Sequence, residues 1–227
     1  INNHDYPNVI KIINCPMSKH HYNTYKNQLK MENQSLNNLS QHCNVASPDK
    51  GYLYEQSYYK SKELLNPKTS ISIKMGELYE NIKNSPAGPV FIISYFITYG
   101  TVLVANTLMT NGITLAVVNN AGNIQDANSS TIKSLLGNNF KQPSRNEQLD
   151  YKTGQTRDKM KNSNDFIPMK FIYITGTTEE EMRDNMILAF NKLNNKDGSK
   201  IKIILGSSIF KEGINFKNLR QIHILEP

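Results

Sequence analysis

Residues 89–96 read PVFIISYF, a nearly unbroken apolar run set off from what precedes it by the breakers in SPAGP, residues 85–89. Such a run lacks the polar alternation of a half-exposed strand and fits one buried on both faces, the condition of strands inside a parallel sheet. The neighbouring segments decide whether such a sheet exists.

Upstream, SISIKMGELYENIKNS (residues 70–85) sets Ile71, Met75, Leu78, Tyr79 and Ile82 at helical spacing. Downstream, TYGTVLVANTLMTNG (98–112) predicts a second helix with Val102, Leu103, Ala105, Leu108 and Met109 inward, closing at Asn111 and Gly112. ITLAVV (113–118) reads as a strand, and so does KFIYITG (170–176). TTEEEMRDNMILAFNKLNN (177–195) predicts a helix with Thr178 and Glu181 as a capping box and Met182, Met186, Ala189, Phe190 and Leu193 as its buried stripe. KIKIILGS (200–207) and RQIHIL (220–225) are the last two strands, the final one read as buried. This alternation predicts an α/β fold with a mainly parallel sheet flanked by helices and right-handed crossovers.

The flanks are less regular. NVIKIINC (8–15) alternates β-branched residues up to Pro16 and reads as a strand. Ser18 can then cap a helix, SKHHYNTYKNQL, with Tyr22, Tyr25 and Leu29 on one stripe. Residues 31–51 are polar and aperiodic and read as a loop or linker, while residues 119–168 read as a surface insertion, partly disordered. The expected division is a connector of strand, helix and polar loop over 1–67, then an α/β unit over 68–227 interrupted by that insertion.

The 227 residues suit one substantial core with an extension, and the hydrophobic fraction of 38% implies long loops. The net charge of +7 attracts polyanions, although AT-rich coding also enriches Lys and Asn. The basic middle of the chain, from Lys62 to Lys161, fits either a solvated surface or a clamp beside nucleic acid. Cys15 and Cys43, the only cysteines, are too few for a disulfide framework or a self-contained zinc site, so no metal is expected. No apolar run approaches the roughly 18 residues of a membrane span, and a membrane is not expected as a partner.

In open parallel sheets, ligands gather at the carboxyl ends of strands. Here those ends are Ser94 and Tyr95, Thr175 and Gly176, Gly206 to Ser208, and Glu226. LGSSIFKEGI (205–214) runs from a strand into two serines, a turn that can hold a phosphate or in which Ser207 or Ser208 caps a short helix. Gly213 and Asn215 form either a plain turn or a contact to a sugar hydroxyl. His223 suits a sheet position, adjacent His20 and His21 cannot both face one metal, and Glu179 to Glu181 are explained by the helix dipole.

The succession GPVFIISYFITYGTVLVANTLMTNGI, FIYITGTTEEEMRDNMILAFN and GSKIKIILGSSIFKEGINFKNLRQIHILEP resembles the second, C-terminal RecA-like lobe of superfamily 2 helicases. The likeness covers about residues 68–227 outside the insertion, and the nearest group is the viral ATPases of large cytoplasmic DNA viruses. The resemblance implies a three-layer RecA-like domain in which Ser94, Tyr95, Thr175, Gly176, Arg183, Ser207 and Ser208 line a nucleic-acid track, with Phe190 in the core. It implies that Glu212, Gly213 and Asn215 face a nucleotide bound between this lobe and an absent N-terminal RecA-like lobe of the same polypeptide.

A GxxxxGK[ST] phosphate loop, a DExx motif and the arginine-bearing motif that should follow Pro227 are all missing from the 227 residues. No catalytic residue is therefore expected here, and ATP and Mg²⁺ belong to the full-length parent. The implied partners are nucleic acid, with DNA favoured over RNA, and a viral RNA polymerase or transcription-factor subunit. The implied location is the viral factory of the host cytoplasm and the virion. Two other readings are a docking module without catalysis and a nucleotide-sugar-binding enzyme.

Overall fold

Along residues 90–93 the side chains alternate between two apolar layers. Val90 and Ile92 join a cluster with Leu115, Phe171, Tyr173, Ile203 and Leu205, while Phe91 and Ile93 join one with Ala116, Val118, Ile172, Ile174 and Ile204. A strand with apolar partners on both faces has no polar position in its period of two, which is why PVFIISYF reads as a continuous run.

The computed structural model of the chain describes residues 10–31, 36–46, 56–207 and 214–226. Its six strands are β1 (Val90–Ile93), β2 (Thr114–Val118), β3 (Ile124–Asp126), β4 (Lys170–Ile174), β5 (Ile203–Gly206) and β6 (Gln221–Ile224). They lie in the order β3-β2-β4-β5-β1-β6, and all pairings are parallel except β2 with β3. Val90 is level with Ile203 on one side and Gln221 on the other. The helices are α1 (Lys19–Leu29), α2 (Leu36–His42), α3 (Ser61–Leu64), α4 (Ile73–Lys83), α5 (Val102–Thr110), α6 (Ser129–Leu136) and α7 (Glu180–Asn191). Helices α4, α5 and α6 supply the first layer, and α7 supplies Met186, Ala189 and Phe190 to the second. This is the three-layer α/β arrangement of a RecA-like fold.

Several local expectations are corrected. Residues 10–15 form no strand, and Ile10 and Ile12 are over nine-tenths exposed, since no sheet edge lies beside them to cover alternate residues. Ser18 does cap α1, accepting from the His21 N–H at 2.9 Å, but α1 buries His21 and Gln28 rather than Tyr22 and Leu29. The reason is that α1 faces polar backbone: His21 Nε2 lies 2.7 Å from the carbonyl oxygen of His42. Part of the expected polar loop 31–51 is α2.

The stretch 119–168 is described throughout. It carries β3 and α6 and sends Ala127, Ile132, Leu136, Phe140 and Leu149 into the first core layer. Ile132 and Leu136 lie one turn apart in the short helix α6, while Ala127, Phe140 and Leu149 enter from irregular segments, so little period is left to read.

Helix α7 has no capping box. The Thr178 hydroxyl instead accepts from the Thr175 N–H at 3.0 Å, and Glu179 takes the cap position with no side-chain bond. Met182 and Leu193 are exposed. The last strand is an edge strand whose Ile222 and Ile224 face solvent, not a buried one.

Candidate nucleic-acid interface

The parallel ladder continues one step past its paired residues. The Ser207 N–H donates to Ile174 O (3.4 Å), the Ser94 N–H to Gly206 O (3.2 Å) and the Leu225 N–H to Ile93 O (3.1 Å). Thr175, Ser207 and Ser94 therefore stand level at the carboxyl ends of three neighbouring strands, β4, β5 and β1.

Thr175 opens a tight turn. Its hydroxyl lies 2.8 Å from that of Thr177, and Gly176 sits at the apex with open space where a β-carbon would be. Neither a positive φ nor internal packing explains this glycine, so its bare backbone is accessible to an external group.

Thr175 and Ser207 are themselves buried, at 8% and 3% exposure, and Ser94 is held more tightly still. It is fully buried, and its hydroxyl donates to Oε1 of Glu226 at 3.0 Å, while the Tyr95 N–H reaches the other carboxylate oxygen at 2.9 Å. Asn44 Nδ2 donates to the same Oε1 and to Tyr99 O, and Asn44 Oδ1 accepts from Lys74 Nζ at 2.7 Å. The strand end of β1 is thereby locked to the segment before α3 through a carboxylate. The Tyr95 side chain stays exposed at this edge.

Arg183 lies in the first turn of α7 and pairs with Glu180 and Asp184 at 3.3 and 3.8 Å. Asn215 is not with the strand ends: its carbonyl accepts from Asn191 Nδ2 at the last residue of α7, roughly 17 Å of helix from the Thr175 turn. Phe216 beside it packs on Phe91 and Phe190, confirming Phe190 as core. Ser208, Glu212 and Gly213 lie outside the described residues.

One feature at this edge escaped the sequence. Past Thr175, toward β2, a cleft of about 850 Å³ straddles the ends of β2 and β4 between α6 and the start of α7. Asn119 and Asn120, just after ITLAVV, are its only signal in sequence, and they look like ordinary turn residues.

No family model matches the chain. It is similar to a termination factor NPH-I homologue of African swine fever virus (isolate Tick/Malawi/Lil 20-1/1983), 32% identical over 160 residues, which is 69% of this chain and 20% of that protein. An Acanthamoeba polyphaga mimivirus protein named as an ATP-dependent RNA helicase is 39% identical over 69 residues, 27% of this chain and 6% of that protein. An early transcription factor large subunit homologue of African swine fever virus is 33% identical over 55 residues, 24% of this chain and 5% of that protein. The chain spans no more than a fifth of the length of these relatives. It is thus related to viral proteins that bear the names of helicases, of a termination factor and of an early transcription factor.

Proposed function

We propose that the chain is the C-terminal RecA-like lobe of a viral nucleic-acid-dependent ATPase or helicase acting in transcription or genome replication, with nucleic acid running along the carboxyl edge of its sheet. The observation that carries this reading is the level row of Thr175 and Ser207 with the open Gly176 between strand end and helix. The open backbone at Gly176, with the hydroxyl residues Thr175 and Ser207 just beneath the edge, suits phosphodiester oxygens, and the names of the relatives point the same way.

The described residues do not fit a nucleotide on their own. They include no phosphate loop, and Asn215 is tied to the far end of α7. No step of hydrolysis is assigned to them. ATP and Mg²⁺ belong to the longer parent, held chiefly by a first lobe, with Glu212 and Gly213 on the facing side. DNA is the favoured strand, and the setting is the viral factory of the host cytoplasm and the virion.

Titration of a labelled single-stranded DNA oligonucleotide into the chain tests the track. Affinity falls as salt rises, and Thr175→Ala with Ser207→Ala weakens it severalfold. Salt-independent binding, or variants that bind like the parent, would remove phosphate contacts from this edge.

One observation favours a second reading, docking onto an RNA polymerase or transcription-factor subunit: Ile222 and Ile224 are exposed along the edge strand β6. Substituting both with Thr and measuring capture of the viral polymerase by the full-length parent separates docking from nucleic-acid binding.

A further inference from the structure

The cleft beside the Thr175 turn has the chemistry of a base pocket rather than a phosphate pocket. Its floor is apolar, with Val117 of β2, Tyr173 of β4, Leu135 of α6 and Met182 and Met186 of α7; Tyr173 and Met186 are buried beneath it, and Met182, Leu135 and Val117 offer the open apolar surface. Met182 is 41% exposed, unusual for a large apolar side chain on a helix face that otherwise packs inward. Around the floor stand the side chains of Asn120, Gln125, Ser134 and Glu179, none of which has a hydrogen-bond partner among the described residues. Glu179 is the only charged residue lining the cleft, and Glu180 and Glu181 follow it on the same helical turn.

This charge balance repels phosphate. It suits a flat, neutral ring that rests on a thioether and aliphatic side chains and offers polar groups to amides, a hydroxyl and a carboxylate. The cleft also contains Thr177 and Thr178, so it begins within the turn that carries Thr175 and Gly176. A strand whose phosphate lies at that turn would have its adjoining base at the mouth of the cleft.

We propose that this cleft receives one nucleobase of the bound strand, seated on Met182 and Leu135 and read by Asn120, Gln125 and Glu179. The proposal rests on the track assigned under Proposed function. An ionised carboxylate only accepts hydrogen bonds, so Glu179 selects bases with an exocyclic amino group, such as cytosine, over thymine.

The test compares three oligomers of equal length and charge on the same chain: oligo(dC), oligo(dT) and a fully abasic deoxyribose-phosphate strand. Oligo(dC) binds about tenfold tighter than the abasic strand, the scale of one stacked base, with oligo(dT) between them. Met182→Ala lowers oligo(dC) affinity toward the abasic value. Glu179→Gln removes the dC-over-dT preference, and both variants leave abasic binding unchanged. Their side chains are exposed, and matching thermal melts confirm that the fold is intact.

Equal binding of dC and abasic strands overturns the base pocket while leaving the phosphate track standing. A base preference untouched by both substitutions overturns its location. No binding of any oligomer removes the track itself, and the pocket falls with it.

Discussion

A β-carbon built on Gly100 would fall 1.9 Å from the Ser94 hydroxyl, so the absence of a side chain at one residue is what admits the oxygen of the other. Gly100 lies in the π-turn Ile97–Thr101 that leads into α5, and the Ser94 oxygen it accommodates is one of the three groups that hold Glu226. Gly100→Ala should therefore expel the hydroxyl and destabilise the fold by about 1–3 kcal/mol, the usual scale of overpacking. In urea unfolding, Ser94→Ala combined with Gly100→Ala should cost clearly less than the sum of the two single changes, because Ser94→Ala removes the oxygen that the new β-carbon of Gly100→Ala meets. Strict additivity would contradict the contact.

Glu226 joins residues that are far apart in sequence. Glu226→Ala leaves the buried Asn44 and Ser94 donors and the Tyr95 N–H without their carboxylate, an expected loss of about 1–3 kcal/mol. Glu226→Gln should fall between, since an amide presents one acceptor and one donor where two acceptors are needed. Hydrogen exchange supplies the local readout: amides of residues 39–46 should lose protection in the alanine variant more than those of β4 and β5.

Acid should weaken the fold before any carboxylate titrates. Burial pushes the imidazoles of His21, His42 and His223 below their ordinary value of 6.5, and Lys74 and His20 add to the effect at His21. Above 6.5 these rings are neutral whether the chain is folded or not, and their contribution is complete. As pH falls through 6.5 toward the depressed folded values, the unfolded chain takes up protons that the folded chain resists, and stability is lost. Chemical denaturation at pH 7.5 and 5.5 should show the drop, and His21→Gln should make it shallower.

Lys202 is fully buried at the start of β5, with its ammonium on Pro86 O, and burial pushes its pKa down to about 8. The fold disfavours the charged form, so the cost is greatest below pH 8 and is relieved as pH rises toward 10.5. Lys202→Met should unfold at or above the temperature of the parent at pH 7, by about 1 kcal/mol of added stability, with the difference shrinking toward pH 10. A variant markedly less stable at pH 7 would show that the Pro86 contact outweighs the burial of charge.

Strands β1, β2, β4 and β5 and helices α4, α5 and α7 were legible because each carries its own period: continuous apolar runs for strands with two covered faces, and spaced apolar residues for the helices. α1 was legible in position but not in orientation, because the group that holds it is the His42 carbonyl, which no side-chain pattern reports. The capping box failed because the Thr178 hydroxyl is claimed by the Thr175 N–H of its own turn. At the candidate site, the positions of Thr175, Gly176 and Ser207 just past the ends of β4 and β5 were legible from the apolar runs that precede them. That Ser94 would face inward depended on a carboxylate 132 residues away. The cleft depended on two segments, 117–135 and 173–186, whose juxtaposition appears in neither alone.

The place of β1 in the strand order also governs how the chain must assemble. Both neighbours of β1 come from sequence over a hundred residues further on, so the most apolar strand of the sheet leaves the ribosome with neither edge partnered. Closing the sheet waits for almost the last described residues, a topology of high contact order that folds slowly and leaves PVFIISYF open to misassociation in the interval.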